Sequence, residues 1–482
     1  MQRMRLILWA MALFFCSTSH GQQKKYPGFY DEMNNQVTID SSAILHISQI
    51  HITGNDKTKE YIILRELKIH PGDSIIAGNI FDVLEESNHL IYNTSLFSEV
   101  EIRPILLSAY EVRLEILLKE RWYIYPAPQF KLVDRNFNEW WKTYNADLNR
   151  VIYGLKFLHY NLSGRADQLR IFLLNGYART FYMSYTEPYS NKKLNEGYSV
   201  SVGFTQNREF PYKTNYNNGL LLYKTNLFDR SSLTLNASYT TRNGYFKRNY
   251  FSLQFNYIKV NDTLISDKYN PNYFNIEKSK ISFPDFSYSF VYNKTDNINY
   301  PLIGKTYALS VSKRGLGVRG GMNMLALDAA FKQYFSHKSG LYSNVQLYAK
   351  IKLPFHQSYL NQRALGYSTF YLRGLEYYVI DGVAAALAKY TVSKQLVSFR
   401  VPIPFHIKAF PYIPFTFFAK TFADGGFCYN QKEFDTRLNN RLLYSGGAGI
   451  DLLTLYDINL SLEYSFNQLG EKGLFLHLKG SL

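Results

Sequence analysis

Residues able to do covalent or metal chemistry are scattered along this sequence. Its ten histidines form no HExxH motif, no serine stands in a GxSxG motif, and no group of Cys and His has the spacing of metal ligands. We therefore predict no catalytic residue, no cofactor and no metal site, and we interpret Asp381, Gly382, Asp424 and Asp457 as turn and wall residues. A hydrolase that assembles Ser, His and an acid from distant strands stays compatible with the sequence.

The elements that position these residues are strands in which polar or small residues alternate with Tyr, Phe, Leu or Val. The pattern is clear in four runs, at 198–204, 233–239, 251–260 and 307–312. Tyr (42) and Phe (35) far outnumber Trp (4), and such rings suit the two girdles of a membrane barrel. A large soluble β-sandwich or propeller is the alternative, although no repeat of fixed length is visible.

The first 21 residues have the features of a secretory signal. Arg3 and Arg5 precede the apolar run at 6–15, and small residues follow it, so we predict cleavage after Gly21. A lipoprotein attached through Cys16 is the alternative, but bulky phenylalanines precede that cysteine. No later stretch has the roughly 18 apolar residues of a spanning helix. If the exported protein is integral to a membrane, it must be a barrel in the outer membrane of a Gram-negative bacterium.

Between a polar segment at 22–43, interpreted as a flexible lead-in, and the barrel lies a small unit at 44–121. Its pattern predicts strand, helix, helix, strand, strand. Thr58 is the expected cap of a helix that runs through Leu67, and a second helix is expected from Ala77 to Tyr92. The strands are expected at 44–52, 96–104 and 110–122. Such a unit has enough apolar positions for one core of its own.

Five motifs give this unit a resemblance to a known domain. In order they are IHITGN, ILREL, PGD, LIYNTSLFSEVEI and LLKERW, which ends at Trp122. Together they resemble a POTRA domain, the periplasmic module of the BamA/TamA family of outer-membrane assembly proteins. The resemblance implies that a client chain adds a strand at an exposed sheet edge, here the strand of Leu96, Phe97, Val100 and Ile102. Pairing of this strand inside the unit or with a neighbouring subunit is the equally weighted alternative.

The barrel region carries a second resemblance to the same family. The segment STFYLRGLEYYVIDG at 368–382 contains Arg373 and Gly374, which in the family lie on a loop folded into the lumen. The matching wall motif is Phe422, Asp424 and Gly426, so the resemblance pairs Arg373 with Asp424. Taken alone, the arginine motif also fits a polar turn. A second acidic partner known in some relatives is replaced here by residues 398–401, Ser-Phe-Arg-Val, so that partner is left open.

The sequence therefore predicts a mainly β protein: one small α+β POTRA domain at 44–121, placed in the periplasm, and a transmembrane antiparallel β-barrel at 122–482. At roughly 22 residues per strand and connection, the barrel would hold about 16 strands. We expect a non-enzymatic factor for outer-membrane β-barrel insertion, which receives clients by POTRA strand addition and templates them at the seam between 123–133 and 473–482. The alternatives are a polypeptide secretion or translocation pore and a lipid exporter.

Charge distribution bears on the partners. The net charge is +16, yet residues 44–121 contain 8 basic and 12 acidic residues, so the basic excess belongs to the barrel. Such a barrel would meet anionic lipid headgroups or carry the charge in its lumen. The expected partners are nascent outer-membrane proteins and outer-membrane lipids, with periplasmic or lipoprotein accessory subunits left open. Nucleic acid is not expected, because the aromatic residues follow a lipid-facing alternation.

Overall fold

The structure is a computed structural model that describes residues 28–132, 145, 147–317, 322–367, 370–403 and 411–479. The predicted signal, residues 22–27 of the predicted lead-in and the last three residues of the predicted final strand lie outside the described residues.

The N-terminal domain is one mixed sheet with two helices. Its elements are β1 (Phe29–Tyr30), β2 (Gln36–Val37), β3 (Ile44–Thr53), α1 (Glu60–Leu64), β4 (Ser74–Ile76), α2 (Ile80–Tyr92), β5 (Phe97–Leu106) and β6 (Glu111–Glu120). The sheet order is β2-β1-β5-β6-β3-β4, in which β6 pairs antiparallel with β5 and parallel with β3. The helices cover one face, because α2 buries Ile80, Leu84 and Ile91 against the inward residues of the strands.

Two details of this domain correct the sequence analysis. Thr58 caps no helix: α1 begins at Glu60 without a side-chain cap, because the buried Thr58 hydroxyl donates instead to Glu120 Oε1 at 2.5 Å. The described part of the predicted flexible lead-in forms β1 and β2, because Phe29 is buried against Phe81, with 5.2 Å between ring centroids.

In the described residues, twenty strands follow. They are β7 (Ile124–Leu132), β8 (Val151–Tyr160), β9 (Gln168–Gly176), β10 (Ala178–Glu187), β11 (Glu196–Asn207), β12 (Glu209–Thr214), β13 (Leu220–Lys224), β14 (Arg230–Asn243), β15 (Lys247–Val260), β16 (Lys280–Thr295), β17 (Gly304–Arg314), β18 (Met324–Ser336), β19 (Leu341–Leu353), β20 (Arg363–Leu365), β21 (Ile380–Asp381), β22 (Ala384–Pro402), β23 (Tyr412–Tyr429), β24 (Leu442–Leu453), β25 (Asn459–Asn467) and β26 (Lys472–Lys479).

Sixteen of these strands form one antiparallel barrel sheet, which confirms the predicted number. The strands β12 and β13 form a separate hairpin, as do β20 and β21. In β25 every second residue, beginning with Asn459, is buried, and the intervening residues are exposed: Leu460, Leu462, Tyr464 and Phe466. Polar residues thus face the interior and apolar residues face outward, which is the arrangement of a wall in lipid. Among the described residues, no helix has the length and apolar content that crossing a membrane requires.

The sheet has two terminal strands, β7 and β26. In the described parts of both strands, β7 pairs only with β8 and β26 pairs only with β25. The seam predicted from the sequence therefore lies between these two strands, and no backbone ladder crosses it within the part of the chain that the structure describes.

The connections alternate between the two rims of the barrel. Short turns such as those between β10 and β11 and between β24 and β25 lie on the rim that contacts the N-terminal domain. The long connections at 208–229, 261–279, 354–383 and 430–441 leave from the opposite rim. The tip of the β12–β13 hairpin crosses to two of them, because the buried Asn218 side chain bonds Val379 O at 3.1 Å, Thr436 Oγ1 at 2.8 Å and Leu438 N at 3.0 Å.

Candidate functional site

The connection between β19 and β22 brings Arg373 against the barrel wall at Asp424. Arg373 Nε donates to Asp424 Oδ2 at 2.9 Å and Nη2 donates to Oδ1 at 2.5 Å, a bidentate pair. The backbone N–H of Arg373 adds a third bond to Oδ2 at 3.1 Å. The Asp424 side chain has no exposed surface and that of Arg373 is 10% exposed. The pair is therefore shielded from solvent, and each charge depends on the other.

Glycine makes the close approach of this luminal loop, residues 370–383, sterically feasible. Gly374 has φ +84°, and a Cβ added there would lie 3.1 Å from Ser465 Cβ. Its carbonyl accepts a hydrogen bond from Asn467 Nδ2 at 2.7 Å. Gly426 on the wall leaves room in the same way, since an added Cβ would lie 3.0 Å from Ala386 O and 3.3 Å from Leu372.

Phe422, the remaining wall residue predicted from the sequence, holds the guanidinium from its flat side. The Arg373 Cζ atom lies 3.9 Å from the centre of the Phe422 ring, a cation–π contact. The structure thus brings together Arg373, Gly374, Phe422, Asp424 and Gly426.

Three residues of β22 complete the surroundings of the arginine and were missed by the sequence analysis. Arg373 Nη1 donates to Thr391 Oγ1 at 3.0 Å, and Nη2 donates to Tyr390 O at 3.5 Å. Lys389 Nζ lies 3.9 Å from Asp424 Oδ2 and stands opposite Asp424 in the strand register. Thr391 lies earlier in β22 than residues 398–401, where the sequence analysis left a second acidic partner open. The alternation of β22 places Lys389 and Thr391 on the luminal face, and this was the only signal in the sequence for them.

The luminal loop rests on the last hairpin of the barrel. Tyr371 packs on His477 with 5.7 Å between ring centroids, and Tyr377 packs on Phe475 at 5.3 Å. The Tyr378 hydroxyl donates to Glu471 Oε1 at 2.5 Å. The loop therefore braces β26, one of the two strands at the seam, from inside the barrel. Among the described residues, one group of three could also hold a metal ion, namely Glu376, Glu463 and His477.

The N-terminal domain docks on the barrel through a buried ion pair. Arg242 at the end of β14 binds both oxygens of Glu66, at 2.5 and 2.6 Å, and the Tyr189 hydroxyl donates to the same carboxylate at 3.2 Å. Burial raises the pKa of Glu66, but the hydrogen bonds and charge of Arg242, with the charge of Arg65, outweigh it and hold that pKa below its usual range. Glu66 is therefore an anion in the docked domain.

A second docking contact centres on Asp457 in the turn between β24 and β25. Its carboxylate accepts from Arg121 Nη2 at 3.0 Å, from the Tyr92 hydroxyl at 2.8 Å and from Asn297 Nδ2 at 2.9 Å. Burial and the charge of Asp457 raise the pKa of Tyr92, so the hydroxyl stays a donor. Asp457 has φ +63°, which agrees with its interpretation as a turn residue. No motif in the sequence predicts this docking contact.

The predicted client edge lies in β5 and the residue before it. The side chains of Leu96, Phe97 and Ile102 are buried in the domain core, so an added strand would meet the backbone of these residues and not their side chains. On the side away from β6, the described residues contain a single bridge, between Tyr30 of β1 and Ile105. One edge carbonyl is already used, because Val100 O accepts from Asn88 Nδ2 at 2.9 Å.

Comparison with protein families assigns both parts of the chain. The POTRA family model, described as "Surface antigen variable number repeat", matches residues 45–121, and the "Omp85 superfamily domain" matches residues 161–456. The chain belongs to the Omp85 superfamily. Omp85 barrels are outer-membrane proteins that handle protein substrates, with POTRA domains in the periplasm. Membership therefore supports a role in the insertion or the translocation of proteins.

Solved structures similar to this Omp85 chain include BamA from Haemophilus ducreyi lacking POTRA domains 1-3, which is 14% identical in sequence and has a TM-score of 0.48. The match spans 90% of this chain and 83% of the BamA chain. CdiB from Acinetobacter baumannii is 13% identical with a TM-score of 0.46, covering 90% and 73%. CdiB from Escherichia coli is 13% identical with a TM-score of 0.49, covering 91% and 76%. A comparison with curated proteins gives no match.

Proposed function

We propose that this Omp85 protein inserts other β-barrel proteins into the outer membrane of a Gram-negative bacterium, with its POTRA domain in the periplasm. The observation that carries the proposal is the seam, where β7 and β26 end the barrel sheet without a ladder between them in the described residues. Unpaired backbone N–H and C=O groups are costly in lipid, so such an edge favours pairing with an incoming strand.

The composition of β7 supports a seam that is weak on one side. Pro126 and Pro128 lie two residues apart in this strand and therefore present their backbone nitrogen to the same side. Proline has no N–H to donate, so within a strand its nitrogen is turned away from the paired neighbour. The edge of β7 facing β26 thus lacks two donors. A client strand that pairs with β26 competes with a poor natural partner.

The other proposed parts supply delivery and support. The β5 edge at Leu96, Phe97, Val100 and Ile102 is the proposed entry point for a client strand. In the part of the chain that the structure describes, the backbone of this edge is bridged to β1 only at Ile105. The Arg373, Gly374 and Asp424 anchor, framed by Phe422 and Gly426, is proposed to keep the luminal loop against β25 and β26 while the seam is engaged.

Site-specific photo-crosslinking tests the proposed route. A photoreactive residue replaces Leu474 of β26, which is 63% exposed, and the matched control replaces Leu309 of β17, which is 56% exposed and lies on the opposite side of the barrel. Folding barrel clients should crosslink at Leu474 and not at Leu309. Equal crosslinking at both positions would contradict templating at the seam.

Substitution of the two prolines of β7 gives a second test of templating at the seam. Replacing Pro126 and Pro128 by Ala restores two donors, and at about 0.5–1.5 kcal/mol per hydrogen bond the seam gains about 1–3 kcal/mol. We expect fewer client crosslinks at Leu474 and a more heat-resistant barrel. Pro284→Ala, in β16 away from the seam, is the control. Unchanged crosslinking by a folded double variant would refute the role given to the prolines.

Depletion of the protein, followed by quantification of the outer-membrane proteome, separates the alternatives. Loss of several other barrels supports insertion. Loss of one secreted protein would instead indicate a dedicated translocation pore, and unchanged proteins with altered surface lipid would indicate a lipid exporter.

A further inference from the structure

Three polar side chains meet at the luminal face of the last hairpin without forming hydrogen bonds to one another. Glu463 of β25, His477 of β26 and Glu376 of the luminal loop each offer one ligand atom, and these atoms all lie within 4.8 Å of one another. His477 Nε2 is 3.4 Å from Glu376 Oε1 and 3.5 Å from Glu463 Oε2. Both distances fall within ion-pair range, yet neither contact has the geometry of a hydrogen bond.

Four polar atoms of this cluster are buried and have no hydrogen-bond partner among the described residues. They are both oxygens of Glu376, Oε2 of Glu463 and Nε2 of His477. Glu463 is only 3% exposed, and its unpartnered Oε2 points at the imidazole. Its other oxygen is occupied by Lys420 at 2.5 Å. One imidazole N–H can donate well to a single acceptor, so a protonated His477 would still leave carboxylate oxygens unsatisfied, and such groups are costly when buried.

A divalent transition-metal ion accounts for three of these four atoms at once: Nε2 of His477, Oε2 of Glu463 and one oxygen of Glu376. Zn²⁺ binds His nitrogen and carboxylate oxygen at about 2.0–2.2 Å, usually in a tetrahedron. Two ligands of such a tetrahedron are about 3.3–3.5 Å apart, close to the two distances from Nε2. The remaining carboxylate-to-carboxylate edge closes by rotation of the Glu376 side chain, which belongs to a loop rather than to a strand. The ring of Tyr371 packs against His477, with an angle of 31° between the ring planes.

One residue of the cluster borders open space in the lumen. Glu463 also lines a luminal cavity of about 630 Å³ whose wall includes Arg373, Lys389 and Asp451. Three protein ligands leave a fourth position for water from this cavity.

We propose that Glu376, Glu463 and His477 form a binding site for Zn²⁺ or a similar divalent ion that prefers nitrogen and oxygen ligands. The bound ion ties the luminal loop to both strands of the last hairpin, three residues along the chain from Arg373. It thereby braces β26 at a second point, independently of the Arg373–Asp424 pair. Mg²⁺ and Ca²⁺ prefer all-oxygen sites with more ligands and are poorer candidates.

The test is made on the full chain in detergent, stripped with a chelator and titrated with Zn²⁺. We expect one ion per chain by calorimetry and by metal analysis after desalting. Glu376→Gln and His477→Ala should each weaken binding by more than about 100-fold, beyond the 10–100-fold cost of losing an outer-shell partner. The matched control is His356→Ala, which removes an exposed His that pairs with Glu433 at 3.0 Å outside the cluster.

Two results would overturn the site: no Zn²⁺ binding by the wild-type chain, or binding that survives in both cluster variants. Loss of binding in His356→Ala alone would assign the ion to the exposed pair and equally reject the proposal. If the variants fail to fold, X-ray absorption of the zinc-loaded wild-type protein decides. It should report a single imidazole and oxygen ligands near 2.0–2.2 Å, and two or more imidazoles would refute the assignment.

Discussion

The Arg373–Asp424 pair predicts a specific pattern of stability in single and double variants. Arg373→Met removes the guanidinium and leaves a carboxylate that has no exposed surface. Breaking a buried pair from one side costs about 3–5 kcal/mol, because the remaining charge is uncompensated. Lys389, 3.9 Å away, can take over part of the pairing. We therefore expect the lower end, about 3 kcal/mol, which corresponds to a roughly 100-fold change in an equilibrium constant.

The double variant Arg373→Met with Asp424→Leu distinguishes the interaction energy of the pair from the cost of leaving one charge without its partner. Replacing a whole buried pair by apolar residues of similar size is often neutral, so most of the loss should be recovered. The coupling energy between the two substitutions should be at least about 2 kcal/mol, near the top of the range for contacting residues. Unfolding in denaturant and the heat-dependent mobility shift on gels give the stability of each purified variant.

The control for this cycle is Arg179→Met, an exposed arginine that lies over the face of Phe228 and donates exposed hydrogen bonds to two side chains, Asn175 and Gln206. It should change stability by less than about 0.5 kcal/mol, as surface substitutions usually do. Additive effects of the two anchor substitutions, with coupling below about 0.5 kcal/mol, would refute the claim that each charge is held in place by the other.

Three further predictions concern docking and the loop. Glu66→Gln leaves Arg242 without its buried counterion and should weaken docking of the N-terminal domain by about 3–5 kcal/mol, which is measured as faster hydrogen exchange at 60–67. The pKa of Glu66 is lowered from 4.5, so in the wild-type protein this contribution to stability is fully present above pH 4.5. It is lost as the pH falls through the lower pKa of the folded state. Asp457→Asn keeps the side-chain shape and the tolerance of positive φ, so protease cleavage between the domain and the barrel should increase through loss of charge alone. Gly374→Ala should lower the unfolding temperature more than Gly470→Ala, since both have positive φ but an added Cβ at Gly470 meets no atom within 4 Å.

Local sequence patterns predicted the elements of the fold well. The alternation in β25 fixes which residues face lipid, because a period of two leaves one register in which the polar set is interior. The helix of Ile80–Tyr92 follows from its apolar spacing, whereas the shorter helix at 60–64 ends earlier than expected. Thr58 does not cap this helix because its hydroxyl donates to Glu120, which is 62 residues distant in the sequence. A rule based on neighbouring residues cannot predict a hydrogen bond of this kind.

Such local patterns do not predict which side chains from distant segments form pairs. Arg373 and Asp424 were paired only because both belong to motifs of a known family. Glu66 and Arg242 lie 176 residues apart. Glu66 belongs to the ILREL motif, but no motif marks Arg242 as its partner. The cluster of Glu376, Glu463 and His477 was missed for the same reason, since metal ligands on separate strands leave no characteristic spacing.

The two strands at the seam are braced by different parts of the molecule. The luminal loop packs on β26 from inside, through Tyr371 and His477. The start of β7 is instead tied to the N-terminal domain, because the Tyr123 hydroxyl donates to Leu96 O at 3.1 Å.

At the rim next to the N-terminal domain the seam is bridged. Arg121 reaches Asp457 at 3.0 Å, and Trp122 N donates to the Tyr456 hydroxyl at 3.1 Å, so the turn before β25 is joined to the residues that lead into β7. If β7 and β26 separate from the opposite rim, neither of these contacts is broken. No backbone ladder between the two strands is broken either, within the described residues. The opening with the lowest cost therefore starts at the rim away from the N-terminal domain, while the buried Arg121–Asp457 pair holds the other end of the seam.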